Sequence, residues 1–462
     1  MPENKKFNFK YLLKIIFYFF AILVALYIVL LASGYKFDNF KKVFVQTGSI
    51  YINSNPKDVK IYLNGKLKAT KTPFKLGYLI PGNYELKIEK EGFQSWEKNL
   101  TVKPSLVTSE SEVILFYSQA KSDDFSSIEG VENLKLNAAK NELLYWTTNQ
   151  IYFQKADSNQ IQKSAALANS QIIEVDGGLN FEKLLISKID PITETQTMLY
   201  CSQKDCLLPS DLNLALSLNF DKGKISNDGK YPLLLSVQGN LYAVADNLTK
   251  YYIDSHVLDY VFFDGKVYYL TDDENGVKIS FSDPKGENKK LITTQKANSN
   301  DKKNFVLSVD NKKNQLFLIG EDKNLFRINN DNLAPEDSET EATALNFDNN
   351  NFLLIVNGSE LKVRGKVELT DTKDSLHEIA RYSTDPLDSG WILRTNHLIF
   401  IRDRILKTVE VKGSNETELY TFDKTSNVNF ASISKNEMIV LDKTKLKKIT
   451  ICERGSLIDL WQ

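Results

Sequence analysis

The chain opens on an unbroken apolar run and then changes rhythm. From Ile15 to Tyr35, 21 residues carry no charge, and as a helix they reach roughly 30 Å, the thickness of a bilayer's hydrocarbon core. No polar face interrupts the run, which argues against a buried core helix and predicts a transmembrane helix over 15–35 after a cytoplasmic tail at 1–14. A cleaved signal peptide is the rival reading, because Ala32-Ser33-Gly34 offers small residues at a cut. The run exceeds the roughly 7–15 apolar residues of a signal peptide, which favours a retained anchor. Lys5, Lys6, Lys10 and Lys14 precede it and Lys36, Lys41 and Lys42 follow. With so short a leading tail, this pattern places the N-terminus in the cytoplasm and the remainder outside the cell membrane.

Beyond the run the apolar positions alternate. Ile50 and Ile52, then Val59, Ile61 and Leu63, recur every second residue, the signature of half-buried strands. Asn55-Pro56-Lys57-Asp58 between them reads as the turn of a β-hairpin, and Asn64-Gly65 as a second tight turn. Tyr84, Leu86 and Ile88 mark another strand face, and Trp96, Leu100 and Val102 share a face suited to a core. Ser54 and Pro56, Asn64-Gly65-Lys66, Thr72-Pro73, Pro81-Gly82 and Gly92-Phe93 give residues 48–102 a pattern that resembles the PEGA domain. That resemblance implies a small β-sandwich beside a membrane anchor, here over 44–118. Pro56 is followed by Lys57, Asp58 and Val59, so the tetrapeptide that names the family survives only through its proline. Read physically, Pro56, Gly65, Pro73, Gly82, Gly92 and Trp96 are structural turn and core residues.

From Asn133 onward a phrase repeats: an apolar strand, a turn rich in Asn, Asp, Gly or Lys, a second apolar strand, a short turn and a third strand. Its clearest copy is 224–246, with others at 134–154, 260–272, 305–329, 344–363, 390–411 and 428–451, and a weaker one at 173–206. Turn markers Asn137, Asn227, Asp310, Asp348 and Ser434 give a period on the order of forty residues, the length of a four-stranded propeller blade. Ser226-Asn227-Asp228-Gly229-Lys230 resembles the turn of TolB-like bacterial propellers. The predicted fold is therefore all-β apart from one N-terminal transmembrane helix: a small β-sandwich followed by a seven- or eight-bladed β-propeller over 119–462. A pair of β-sandwiches is the rival architecture. The apolar tail "SLIDLWQ" (456–462) reads as a closing strand pairing with the first blade, near 111–118 or 134–154.

Composition narrows the chemistry. Lys and Arg number 58 against 59 Asp and Glu, a net charge of −1, so no excess of positive charge points to nucleic acid. Only His256, His377 and His397 and three cysteines are present, which disfavours metal or histidine-dependent catalysis. No nucleophile elbow, phosphate loop or HExxH pair occurs, so neither a catalytic residue nor a cofactor is assigned. "TDDENG" (271–276) has acidic density but lacks EF-hand spacing, and reads as a hairpin turn. Asp264, Asp272, Asp310 and Asp348 are candidates to converge on a propeller mouth as a glycosidase pair, although aspartate is common in β-turns. Cys201 and Cys206 bracket four residues at an expected hairpin tip and form a candidate disulfide, leaving Cys452 free.

Two functional classes remain. One is a non-catalytic cell-envelope protein whose propeller binds a protein or cell-wall glycan partner while the sandwich acts as a stalk. The other is a propeller hydrolase of cell-surface polysaccharide or peptide.

Overall fold

The structure, a computed structural model, describes residues 9–455 apart from 165, 179, 202–205, 207, 227–228, 275, 296–304, 311–312, 314, 329–334, 348–350, 368–370, 373–374, 414–415 and 424–427. Two compact units emerge, residues 1–119 with 452–462, and residues 120–451.

In the first unit, α1 (Phe9–Ala32) contains the window Leu13–Ala32, whose mean hydropathy is 2.9 and none of which is buried. It is long and apolar enough to cross a membrane. The helix stops three residues short of the expected end at Tyr35, because Gly34 turns to φ +83° and its N–H bonds to the Leu31 carbonyl at 3.0 Å. Tyr35 instead starts a hairpin of β1 (Tyr35–Asp38) and β2 (Val43–Gln46).

A β-sandwich follows. β3 (Gly48–Asn55) lies between β6 (Phe74–Leu79) and β9 (Val107–Ile114), running parallel to the latter. The facing sheet runs β5 (Lys66–Ala69), β4 (Lys60–Leu63), β7 (Gly82–Glu89), β8 (Trp96–Val102). The expected hairpin across Asn55–Asp58 is thus wrong. β3 and β4 do not pair; they enter opposite sheets, so that Ile50 and Ile52 meet Ile61 and Leu63 in a core shared with Leu86, Ile88, Trp96, Leu100 and Val102. Period-two alternation reveals which face is buried and leaves the partner strand open.

Of the residues that carried the sequence resemblance, Ser54, Pro56 and Thr72 meet at this crossover. Ser54 Oγ donates to the Pro56 carbonyl at 2.7 Å and lies 3.0 Å from Thr72 Oγ1, while the Thr72 N–H bonds to the Lys57 carbonyl at 2.7 Å. Pro73 follows directly. Asn64 (φ +48°) and Gly65 (φ +72°) make the tight β4–β5 turn. Gly82 opens β7 without a positive φ, so no such freedom is required there.

In the second unit the sheets are four-stranded; the first seven are antiparallel and built from four successive strands, each in the order first to fourth. Their first strands are Val131–Asn137, Gln171–Asp176, Phe220–Ile225, Val257–Phe263, Val306–Asp310, Ala344–Asn346, Asp388–Trp391 and Asn429–Ser432. These are eight blades, and each repeated phrase falls in one of them. A short second helix, Leu212–Leu216, caps blade 2, its N-terminus held by Asp211 accepting from the Leu214 N–H; it is an addition to the single helix expected. The second strands are buried on both faces. Glu142–Thr147 and Glu437–Asp442 are almost wholly enclosed because each blade packs between two neighbours. Leu144 and Trp146 of blade 1 pack with Val175 and Ile186 of blade 2, and comparable apolar clusters fill the following junctions. Tyr420 donates to Asp442 Oδ2 at 2.9 Å between blades 7 and 8.

The ring closes in an unexpected way. Blade 8 contributes three strands ending in Lys445–Cys452, and its outer, fourth strand is β10 (Phe116–Asp124), from the start of the propeller sequence. Just beyond β10, the N–H groups of Phe125 and Val131 bond to the carbonyls of Leu446 and Thr444 at 3.0 and 2.9 Å. Blade 1 already has four strands of its own, so closure takes place in the last blade and not the first. The tail 456–462 lies outside the described residues. Apolar packing completes the circle: Val131, Leu134 and Tyr145 of blade 1 cluster with Ala431, Ile439 and Leu446 of blade 8.

Candidate functional site

In a propeller, the loops and inner strand edges around the axis hold the site. One residue of each first strand occupies the same register: Asn133, Glu174, Lys222, Asp259, Val306, Ala344, Asp388 and Asn429. In blades 1–4 it directly follows a β-bulge, a device that re-aims the next side chain. The set is polar through blades 7, 8, 1, 2, 3 and 4 and apolar at Val306 and Ala344 of blades 5 and 6, both exposed.

Neighbouring first strands are stitched together here. Asn429 Nδ2 donates to Asn133 Oδ1 at 2.6 Å, joining blades 8 and 1. Lys135 meets Glu174 at 3.2 Å, and the Ile225 N–H bonds to Asp176 Oδ2 at 2.7 Å. Asp259 accepts from the Leu307 N–H at 2.9 Å and has Lys224 at 3.9 Å. Glu174, Asp176, Asp221 and Asp259 gather near Tyr260, whose hydroxyl donates to the Leu233 carbonyl. Burial, then the charges of Asp259, Asp176, Glu174 and Asp221, hold that hydroxyl well above the ordinary tyrosine range. Glu174, Asp176 and Asp259 therefore act as latches between blades, satisfied by amides or lysines.

Blade 7 differs. Burial pushes the Asp388 carboxyl up to about 6, against the opposing effect of the Ser389 N–H that bonds to its Oδ1 at 2.8 Å. At the same register, Asn133 and Asn429 accept from the next residue's N–H at 2.8 and 2.6 Å. The geometry is one an amide satisfies equally well.

Among the described residues, the acidic candidates fall in different turns. Asp264 sits in the first hairpin of blade 4 and Asp272 near the second, at opposite ends of the strand Lys266–Asp273. Asp310 is buried in the first turn of blade 5, capping the Lys313 N–H at 3.1 Å, and Asp348 lies outside the described residues. Within "TDDENG", Asp273 pairs with Gly276 between the second and third strands of blade 4, and Lys278 engages Asp273. The histidines sit apart: His256 precedes the first strand of blade 4, His377 meets Asp371 at 2.8 Å in blade 6, and His397 is buried in blade 7. Cys201 and Cys206 are buried between blades 1 and 2, their sulfurs in bonding contact and their Cα atoms 5.1 Å apart. They are not cross-strand partners, since Tyr200 pairs with Ser210 and the connection is longer than the four-residue tip expected. On the sandwich, Tyr62, Gly65, Glu85, Lys87 and Glu89 line an open groove of about 280 Å³, smaller than the roughly 300–1,000 Å³ of small-molecule sites.

Residues 47–112 match the family model of the PEGA domain. No curated protein matches the sequence. Among solved structures, the chain is similar to the C-terminal WD40 domain of Sif2, with 9% identity and a TM-score of 0.48 over 73% of this chain and 99% of that one. It is similar to the Dos1 propeller at 13% identity and a TM-score of 0.46, over 71% and 94% of the two chains. YCF48 from Cyanidioschyzon merolae gives 12% identity and 0.41, over 61% and 96%.

Proposed function

We propose that this chain is a membrane-anchored, non-catalytic cell-envelope protein whose PEGA sandwich serves as a stalk and whose propeller presents a binding face to a protein or glycan partner. The observation carrying this reading is the inner-strand register: its carboxylates hold the ring together, while exposed Lys222, Val306 and Ala344 are available for contact. An apolar sector beside charged residues suits recognition of a polymer or protein surface better than bond cleavage. α1 provides the membrane attachment, with its N-terminus cytoplasmic and the β units extracytoplasmic.

The full chain in lipid nanodiscs, used to capture envelope proteins and glycans, tests the reading. Lys222→Glu is expected to weaken capture of the partner by about tenfold, the scale of one lost charge complementarity, without changing the melting temperature. Capture that survives both Lys222→Glu and Val306→Asp would contradict this face, and release of cleaved glycan or peptide would favour the hydrolase alternative.

A further inference from the structure

The β1–β2 hairpin leaves its apolar residues unburied. Phe40 at its tip is 98% exposed, Val43 49%, Phe44 43% and Phe37 39%. Phe37 and Phe44 face each other across the strands with ring centroids 5.2 Å apart. Three lysines, Lys36, Lys41 and Lys42, accompany them, all exposed. The single carboxylate of the hairpin, Asp38, is buried and accepts from the Phe40 N–H at 2.8 Å, fixing the turn that projects Phe40. The hairpin is fastened to the end of α1, because the Thr47 N–H and Oγ1 both donate to the Gly34 carbonyl, at 2.9 and 2.7 Å.

Length fixes where such a hairpin would lie. The 20 residues Leu13–Ala32 span the hydrocarbon core at 1.5 Å per residue, which puts Gly34 at its boundary. Strands of four residues span only about 13 Å, so a hairpin lying along the surface stays within the headgroup layer, about 5–8 Å deep on each side. We propose that β1–β2 is an interfacial anchor: Phe40, Phe37 and Phe44 enter the lipid boundary while Lys36, Lys41 and Lys42 contact anionic headgroups. This rests on α1 being a retained membrane anchor. Together they would fix the orientation of the chain at the surface, which a lone helix does not.

The full chain carrying Phe40→Cys, labelled with an environment-sensitive fluorophore and reconstituted in vesicles, distinguishes the two readings. Flotation reports the anchor; quenching by lipids brominated close to the headgroup reports the hairpin. We expect flotation, a blue-shifted and quenched label at position 40, and no quenching of a label at Leu67→Cys on the sandwich. Quenching should deepen when phosphatidylglycerol is added to phosphatidylcholine, and Lys41→Gln with Lys42→Gln should abolish that increment. Flotation with an unquenched label at 40, or with quenching indifferent to phosphatidylglycerol, would overturn the inference and leave the anchor standing. Failure to float would overturn both.

Discussion

A chain shortened to begin at Val131 is expected to lose the cooperative folding of its propeller, whereas one beginning at Phe116 keeps it. The shorter chain lacks β10, so the last strand of blade 8, Lys445–Cys452, becomes an open edge. It also lacks Phe125, which is buried in the cluster between blades 1 and 8 and whose N–H bonds to Leu446. Burying a phenylalanine is worth about 1.5–3 kcal/mol, and an unpaired strand edge invites association between chains. Against a total stability of about 5–15 kcal/mol, these losses fall together on the one junction that closes the ring. Size-exclusion chromatography should show the Val131 chain aggregated and thermal melting should show a broad, early transition. A monomeric Val131 chain that melts as sharply and as high as the Phe116 chain would mean that β10 does not close the ring.

Asp388→Asn is expected to stabilise the protein at pH 7 by about 2–3 kcal/mol, an upper range set by a shift of roughly two pKa units. Burial raises this carboxyl from an ordinary 3.8 to about 6. The folded state therefore binds the proton more tightly than the unfolded chain, so stability falls as pH rises through that window and the penalty is complete above it. An amide has no such penalty and keeps the Ser389 bond, as Asn133 and Asn429 do at the same register. His397, in the adjacent strand, works in the opposite sense. Burial lowers it to about 4, so its contribution is lost as pH falls from its ordinary 6.5. In the natural chain the two slopes oppose each other, and in Asp388→Asn the acid sensitivity of His397 should emerge. Melting curves at pH 4 and pH 7 check this: the gain should be large at pH 7 and small at pH 4. An equal gain at both would remove proton linkage as its cause.

Much of the architecture was legible because blade centres are sealed on both faces. Runs such as Leu143–Trp146 and Met438–Leu441 must be apolar throughout, and the turns between first and second strands need a capping side chain. Asn137 caps the Lys140 N–H and Ser434 the Glu437 N–H, like Asp310 in blade 5. Fourth strands escaped notice because they are outermost and wet: Lys290–Gln295 and Thr417–Thr421 are polar and only partly buried. The same holds for β10, whose residues after Phe116 are mostly exposed, so its pattern does not mark it as a closing strand while the apolar tail resembles one. The ring register was equally hidden. Asn133 and Asn429 meet across 296 residues of sequence, and no local pattern announces such a pair. In the sandwich, the alternation identified the core of β3 and β4 while their chain proximity suggested a pairing that the two-sheet geometry forbids.

We have proposed that α1 anchors the chain with its β units outside the membrane. Protease added to intact cells addresses it most directly, with antibodies to the extreme N-terminus and to the propeller reporting the fragments. The account predicts degradation of the 133–462 region while the N-terminal tail stays protected until the cells are lysed. Protection of both ends in intact cells, with cleavage appearing only after lysis, would contradict it.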